Sequence, residues 1–158
     1  MSIKTKGFQT GKIFGKAAKE IGFNGLGATR FIEYTNYWLI INHQKSSYSK
    51  YFYINVGLLY KEMLADPLTE DEIKNTFKAK VLVFPHVSFR AECCPGIPDN
   101  LFAMIDSCVE NEQSDELTNN LKEALIILRS FIEKNYHRQT IRKLYNEKKL
   151  SALICKEV

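Results

Sequence analysis

Three successive runs rich in aromatic and β-branched residues, Thr29–Thr35, Tyr37–Ser46 and Tyr51–Tyr60, do most to narrow what this chain can fold into. Only the turn-like Thr35-Asn36 and Ser46–Lys50 separate them, so the spacing predicts a three-stranded antiparallel meander. Within Tyr51–Leu59 the even positions Phe52, Ile54, Val56 and Leu58 are all apolar. Strand side chains alternate between faces, so these four point to the core. Tyr51, Tyr53, Asn55 and Gly57 turn the other way. Asn42, His43, Gln44, Lys45 and Ser46 end the neighbouring strand, and Val81–Glu92 alternates again, setting His86, Ser88, Arg90 and Glu92 opposite Val81, Val83, Val87, Phe89 and Ala91. Pro85 interrupts that run, which favours an edge strand or a bulge. The second sheet face is thus expected to be polar and aromatic, either solvated or a shallow binding surface, with a gap at Gly57.

Helical patterns surround the meander. Phe8, Ile13, Phe14, Ala17, Ala18 and Ile21 recur at helical spacing and Gly22 closes the run as a C-cap glycine would. Thr69 with Glu72 forms a capping-box pattern opening a short helix to about Ala79. Asp99 is placed to cap a helix with Leu101, Met104, Ile105 and Cys108 inward. A longer helix starting near Ser114 or Asp115 repeats Leu117, Leu121, Leu125, Leu128, Phe131/Ile132 and Tyr136 on one face, and a basic helix over 138–150 turns Ile141, Leu144 and Tyr145 inward. The tail Ser151–Val158 shows no decisive pattern. This order predicts an α+β fold: an antiparallel sheet of about four strands with helices packed on one face. No repeat or linker divides the 158 residues, so a single domain is expected, with a basic C-terminal helical segment at 138–158.

Charge is unevenly placed. Residues 1–30 carry a net +5, residues 138–158 a net +4 and the stretch between them −5, with seven acidic and no basic residues between Arg90 and Lys122. Ends folded against one side would make the molecule an electrical dipole, a field that steers association. The longest apolar runs are five residues, far below a membrane span, and no apolar leader segment opens the chain. Four cysteines (Cys93, Cys94, Cys108 and Cys155), two of them adjacent, read as reduced thiols in a cytoplasmic protein. A zinc set of Cys93, Cys94, Cys108 and His86 lacks any C-x-x-C spacing, and neither metal nor cofactor is expected.

The run Ile40-Ile41-Asn42-His43-Gln44-Lys45-Ser46, then Tyr51-Phe52-Tyr53-Ile54-Asn55-Val56-Gly57, resembles the signature of the bacterial family called domain of unknown function 4304. Arg90 matches that family's later strand arginine, and Ile21-Gly22-Phe23 with Arg30-Phe31 looks like its opening helix and strand. The likeness covers about residues 8–135, departing at His43 and in the Cys93-Cys94-Pro95 loop. It implies an α+β bacterial domain and no particular activity.

The search for chemistry is mostly negative. Ser46, Ser47, Cys93 or Cys94 with His43 or His86 are the only nucleophile–base candidates, and no G-x-S-x-G elbow surrounds them. Glu70-Asp71-Glu72 is more simply the acidic first turn of a helix. Gly22, Gly25 and Gly27 join helix to strand rather than strand to helix, so a dinucleotide or phosphate loop is excluded. The chain leans away from enzymes and toward a small bacterial binding domain whose partner is another protein, a toxin-neutralising (immunity-type) role being one version. The expected contact surface is Gln44, Lys45, Tyr51, Tyr53, Asn55, His86 and Arg90. A structural alternative has Gln44, Asn55 and Arg90 merely hydrogen-bonding one another. Two rival classes are an unrecognised hydrolase and a single-stranded nucleic-acid module using Tyr51 and Tyr53 to stack bases and Lys45, Lys50 and Arg90 to meet phosphate.

Overall fold

The computed structural model describes residues 7–77 and 84–158. Helix α1 (Thr10–Glu20) leads into β1 (Thr29–Glu33), β2 (Tyr37–Lys45) and β3 (Phe52–Tyr60). The short α2 (Glu70–Lys74), β4 (Val87–Arg90), α3 (Leu101–Glu110), α4 (Ser114–Asn135), α5 (Arg138–Asn146) and β5 (Leu153–Ile154) complete the α+β fold. The five strands form one antiparallel sheet in the order β1-β2-β3-β4-β5. One strand more than expected arises because the tail pairs with β4: Ile154 lies opposite Val87 and Leu153 opposite Ser88. β4 is therefore an interior strand rather than an edge. Pro85 sits ahead of it, where its missing N–H costs no ladder bond. The expected strand residues 81–83 and helix residues 78 and 79 lie outside the described residues.

The apolar alternation builds the main core. Leu39, Ile41, Ile54, Val56, Leu58 and Val87 point to one face and meet Phe14, Ala17 and Ala18 of α1, Leu101 and Ile105 of α3 and Leu117, Leu121, Leu125, Leu128 and Ile132 of α4. α1 and α3 both pack along α4, and Ile141 of α5 joins the same core. Gly22 ends α1 at φ +98°, where the Phe23 N–H reaches Ala18 O and the Gly22 N–H reaches Lys19 O, the Schellman pattern its position suggested. Arg129 of α4 pins that turn through Nη1 to Ile21 O at 2.6 Å. Tyr60 Oη donates to Tyr136 O at 2.7 Å, tying the sheet to the end of α4.

Three local expectations differ. α3 starts after Asn100 without a side-chain cap, so Asp99 does not cap it. Its buried stripe is Leu101, Ile105, Cys108 and Val109, and Met104, at the edge of that stripe, is exposed. Tyr145 likewise lies outward, its ring 5.5 Å from the Arg142 guanidinium.

The second face is only half open. Phe31, Trp38, Ile40 and Leu59 are covered by Ile73 of α2 with Leu64, Leu68 and Phe77. Both halves of the predicted capping box hold α2 in place: Glu72 N–H to Thr69 Oγ1 at 3.3 Å and Thr69 N–H to Glu72 Oε1 at 3.2 Å. The gap expected at Gly57 is filled from within. A methyl there would sit 3.0 Å from Phe77 Cζ and from Pro85 Cγ. Among the described residues no helix is long and apolar enough to cross a membrane.

Candidate functional site

Beyond the covered half, strand register assembles a polar rung across four strands. Thr29 faces Asn42, Asn42 faces Asn55 and Asn55 faces Arg90. Residues directly opposite project from the same face, so their side chains meet. Asn42 Nδ2 donates to Thr29 Oγ1 at 2.9 Å, and Asn55 Nδ2 donates to Asn42 Oδ1 at 3.1 Å and to Gln44 Oε1 at 2.9 Å. One row away Gln44 faces Tyr53, and the Arg90 guanidinium lies 4.2 Å above the Tyr53 ring. That is cation–π geometry, the cation against the electron-rich face of the phenol. Tyr53 keeps 43% of its surface exposed. Among the described residues no acidic side chain pairs with Arg90.

A groove of ≈520 Å³ runs beside Arg90, lined in part by Gln44, Asn55, Ser88, Phe77 and Leu153. Leu153, on the added strand, is 78% exposed and supplies an apolar wall. The Gln44 amide oxygen accepts from Asn55, which leaves its NH₂ free to donate, alongside the Ser88 hydroxyl and the Arg90 fork. The surface thus sets hydrogen-bond donors beside an apolar wall. Among the concavities elsewhere are one of ≈420 Å³ beside Trp38, Lys61 and Leu64, and a cleft of ≈960 Å³ at α5. In the latter Arg142 is already spent on the carbonyls of Cys155, Lys156 and Val158.

Of the seven residues expected at the surface, Gln44, Tyr53, Asn55 and Arg90 come together. The other three are corrected. Lys45 lies opposite Phe52, so strand parity sends it to the helix-bearing face. Tyr51 precedes the paired strand, packs against the main core and donates its hydroxyl to Glu110 of α3. His86 is 8% exposed, and its Nδ1 accepts the Tyr60 N–H at 2.9 Å. Burial lowers its pKa, as it does for His43, whose Nε2 meets Thr10 Oγ1 at 2.9 Å against the Phe52 ring. Each imidazole therefore has a structural partner, and neither serves a serine or cysteine. The alternative bonding reading holds for Gln44 with Asn55, while Arg90 bonds to neither and rests on Tyr53 instead.

The stacking platform proposed for nucleic acid is not gathered on one face either. Tyr51 and Lys45 lie elsewhere, and Lys50 Nζ is paired with Glu110 at 2.7 Å. The zinc set does not converge: among the described residues no three metal-ligating side chains cluster. Cys108 Sγ lies 3.4 Å from Asn120 Nδ2, and burial pushes the Cys94 thiol up to about 12. All four cysteines are free. Sequence reasoning missed Thr29 and Leu153. An asparagine in the same register of β2 and β3 was the available signal for the rung, whereas Leu153 had none.

Residues 14–133 match the model of a protein family described as Domain of unknown function (DUF4304). No curated protein and no solved structure matches the chain.

Proposed function

The chain belongs to the DUF4304 family, whose description assigns no activity, and from its own surface we propose a small cytoplasmic bacterial domain that binds another protein. The observation that carries this reading is the polar rung ending in the half-buried Arg90 stacked on the exposed Tyr53, beside a groove with an exposed leucine wall. Accessible aromatic side chains and a half-buried arginine next to an apolar wall are the residue types that anchor protein interfaces. The scattering of Tyr51, Lys45 and Lys50 speaks against a nucleic-acid platform. The neutral, occupied imidazoles speak against a hydrolase. A toxin-neutralising role is one instance of the reading, with the toxin as the bound protein.

The test is affinity capture from a lysate of the native host, with and without nuclease, using the wild-type chain and the double variant Tyr53→Ala/Asn55→Ala. A stoichiometric protein that survives nuclease and is lost with the double variant supports the reading. Nucleic acid lost to nuclease or high salt, or a partner indifferent to the double variant, overturns it.

A further inference from the structure

Resting on that binding reading, we propose that Arg90 is the receptor for a carboxylate of the partner, an aspartate or glutamate whose apolar neighbour lies along Leu153. The chain has 18 acidic residues, yet none of those described pairs with this half-buried guanidinium. Tyr53 packs against it, the guanidinium carbon 4.2 Å from the ring centre, and no hydrogen bond to a described residue occupies its fork. A planar guanidinium held against an aromatic ring matches a carboxylate through two parallel N–H···O bonds, and less rotamer freedom is then lost on binding. The Gln44 NH₂ and Ser88 hydroxyl add donors around the same point, and Asn55 holds Gln44 in place at 2.9 Å.

The apolar wall sets the kind of partner. A nucleic-acid strand needs repeated cations along its phosphates. Among the described residues Arg90 is the only cation lining this groove, and Phe77, Ala152 and Leu153 lie beside it. One anion next to an apolar side chain is the chemistry of a peptide segment.

The experiment titrates the ¹⁵N-labelled chain with two blocked peptides, acetyl-Ala-Glu-Leu-amide and acetyl-Ala-Gln-Leu-amide, and with oligothymidylate. The glutamate peptide is expected to move the Arg90 Nε–H and the Gln44 and Asn55 side-chain amides. It should bind about tenfold tighter than the glutamine peptide, a preference that disappears in Arg90→Gln. Equal binding of the two peptides, a preference surviving Arg90→Gln, or oligothymidylate displacing the peptide overturns the proposal. Should Arg90→Gln fail to fold, Arg90→Lys keeps the charge without the fork and is expected to weaken the glutamate peptide several-fold; undiminished binding overturns the receptor. A captured protein lost with Tyr53→Ala/Asn55→Ala yet retained by Arg90→Gln overturns the carboxylate receptor and leaves the binding surface standing, whereas capture of no protein removes both.

Discussion

Two halves of one sheet face, built from the same strands, meet opposite fates. Near the β1–β2 turn, Phe31, Trp38, Ile40 and Leu59 are sealed under Ile73, Leu64, Leu68 and Phe77. At the other end the same strands bond Thr29, Asn42, Asn55 and Gln44 in a chain that runs from the buried Thr29 out to the exposed Gln44, beside the exposed Tyr53. Alternation fixes which residues leave the main core, but the connection between β3 and β4 decides which of them are covered. Covered positions carry stability, and the open ones are where we propose that a partner binds.

Substitutions separate the halves most sharply by size of effect. Leu59→Ala, in the covered half, is expected to destabilise by about 3 kcal/mol through lost burial and the cavity left behind. A urea midpoint implying less than about 1 kcal/mol would mean that α2 does not seal this face. Gly57→Ala should cost roughly 2 kcal/mol, because its methyl overpacks against Phe77 and Pro85. An unchanged thermal midpoint would show that these two side chains do not close over the glycine. Asn55→Ala, in the open half, should cost only about 1 kcal/mol, since the oxygens it bonds remain within reach of water. A loss as large as that of Leu59→Ala would make the rung a structural element instead of a displayed surface.

The smallest effect is with pH. Burial lowers the pKa of His86 and His43 below the usual imidazole value of 6.5. Between 6.5 and the lowered values the unfolded chain binds protons that the folded chain refuses. Stability is therefore full above about pH 6.5 and declines as pH falls through that window. His86→Asn, which offers an oxygen where Nδ1 accepted the Tyr60 N–H, should flatten the decline of the urea midpoint between pH 7.5 and 5.5. A midpoint that rises on acidification would contradict the assignment.

What could be read from the sequence follows the range of the interactions involved. The meander, the capping box at Thr69–Glu72 and the glycine ending α1 are written in neighbouring residues and stand as expected. β5 was not legible: two residues carry no periodicity, and Leu153–Ile154 is a strand only because β4 lies beside it. The covered half escaped notice for the same reason, since Trp38 and Ile40 find their partners more than thirty residues away at Ile73. Within the candidate site, parity puts Tyr53, Asn55 and Arg90 on one face, where the register also places them. It failed for Tyr51, where pairing stops at Phe52, and for His86, which lies one residue before β4. Lys45 follows Gln44 at the strand end, and a step of one residue reverses the face.

The most direct test of the open half as the contact surface is hydroxyl-radical footprinting of the chain alone and bound to its captured partner. Tyr53 and Leu153, 43% and 78% exposed, are predicted to lose reactivity on binding, while Tyr48 at 100% and Tyr145 at 41% keep theirs. Protection of Tyr145 and the α5 cleft with Tyr53 unchanged would contradict the account.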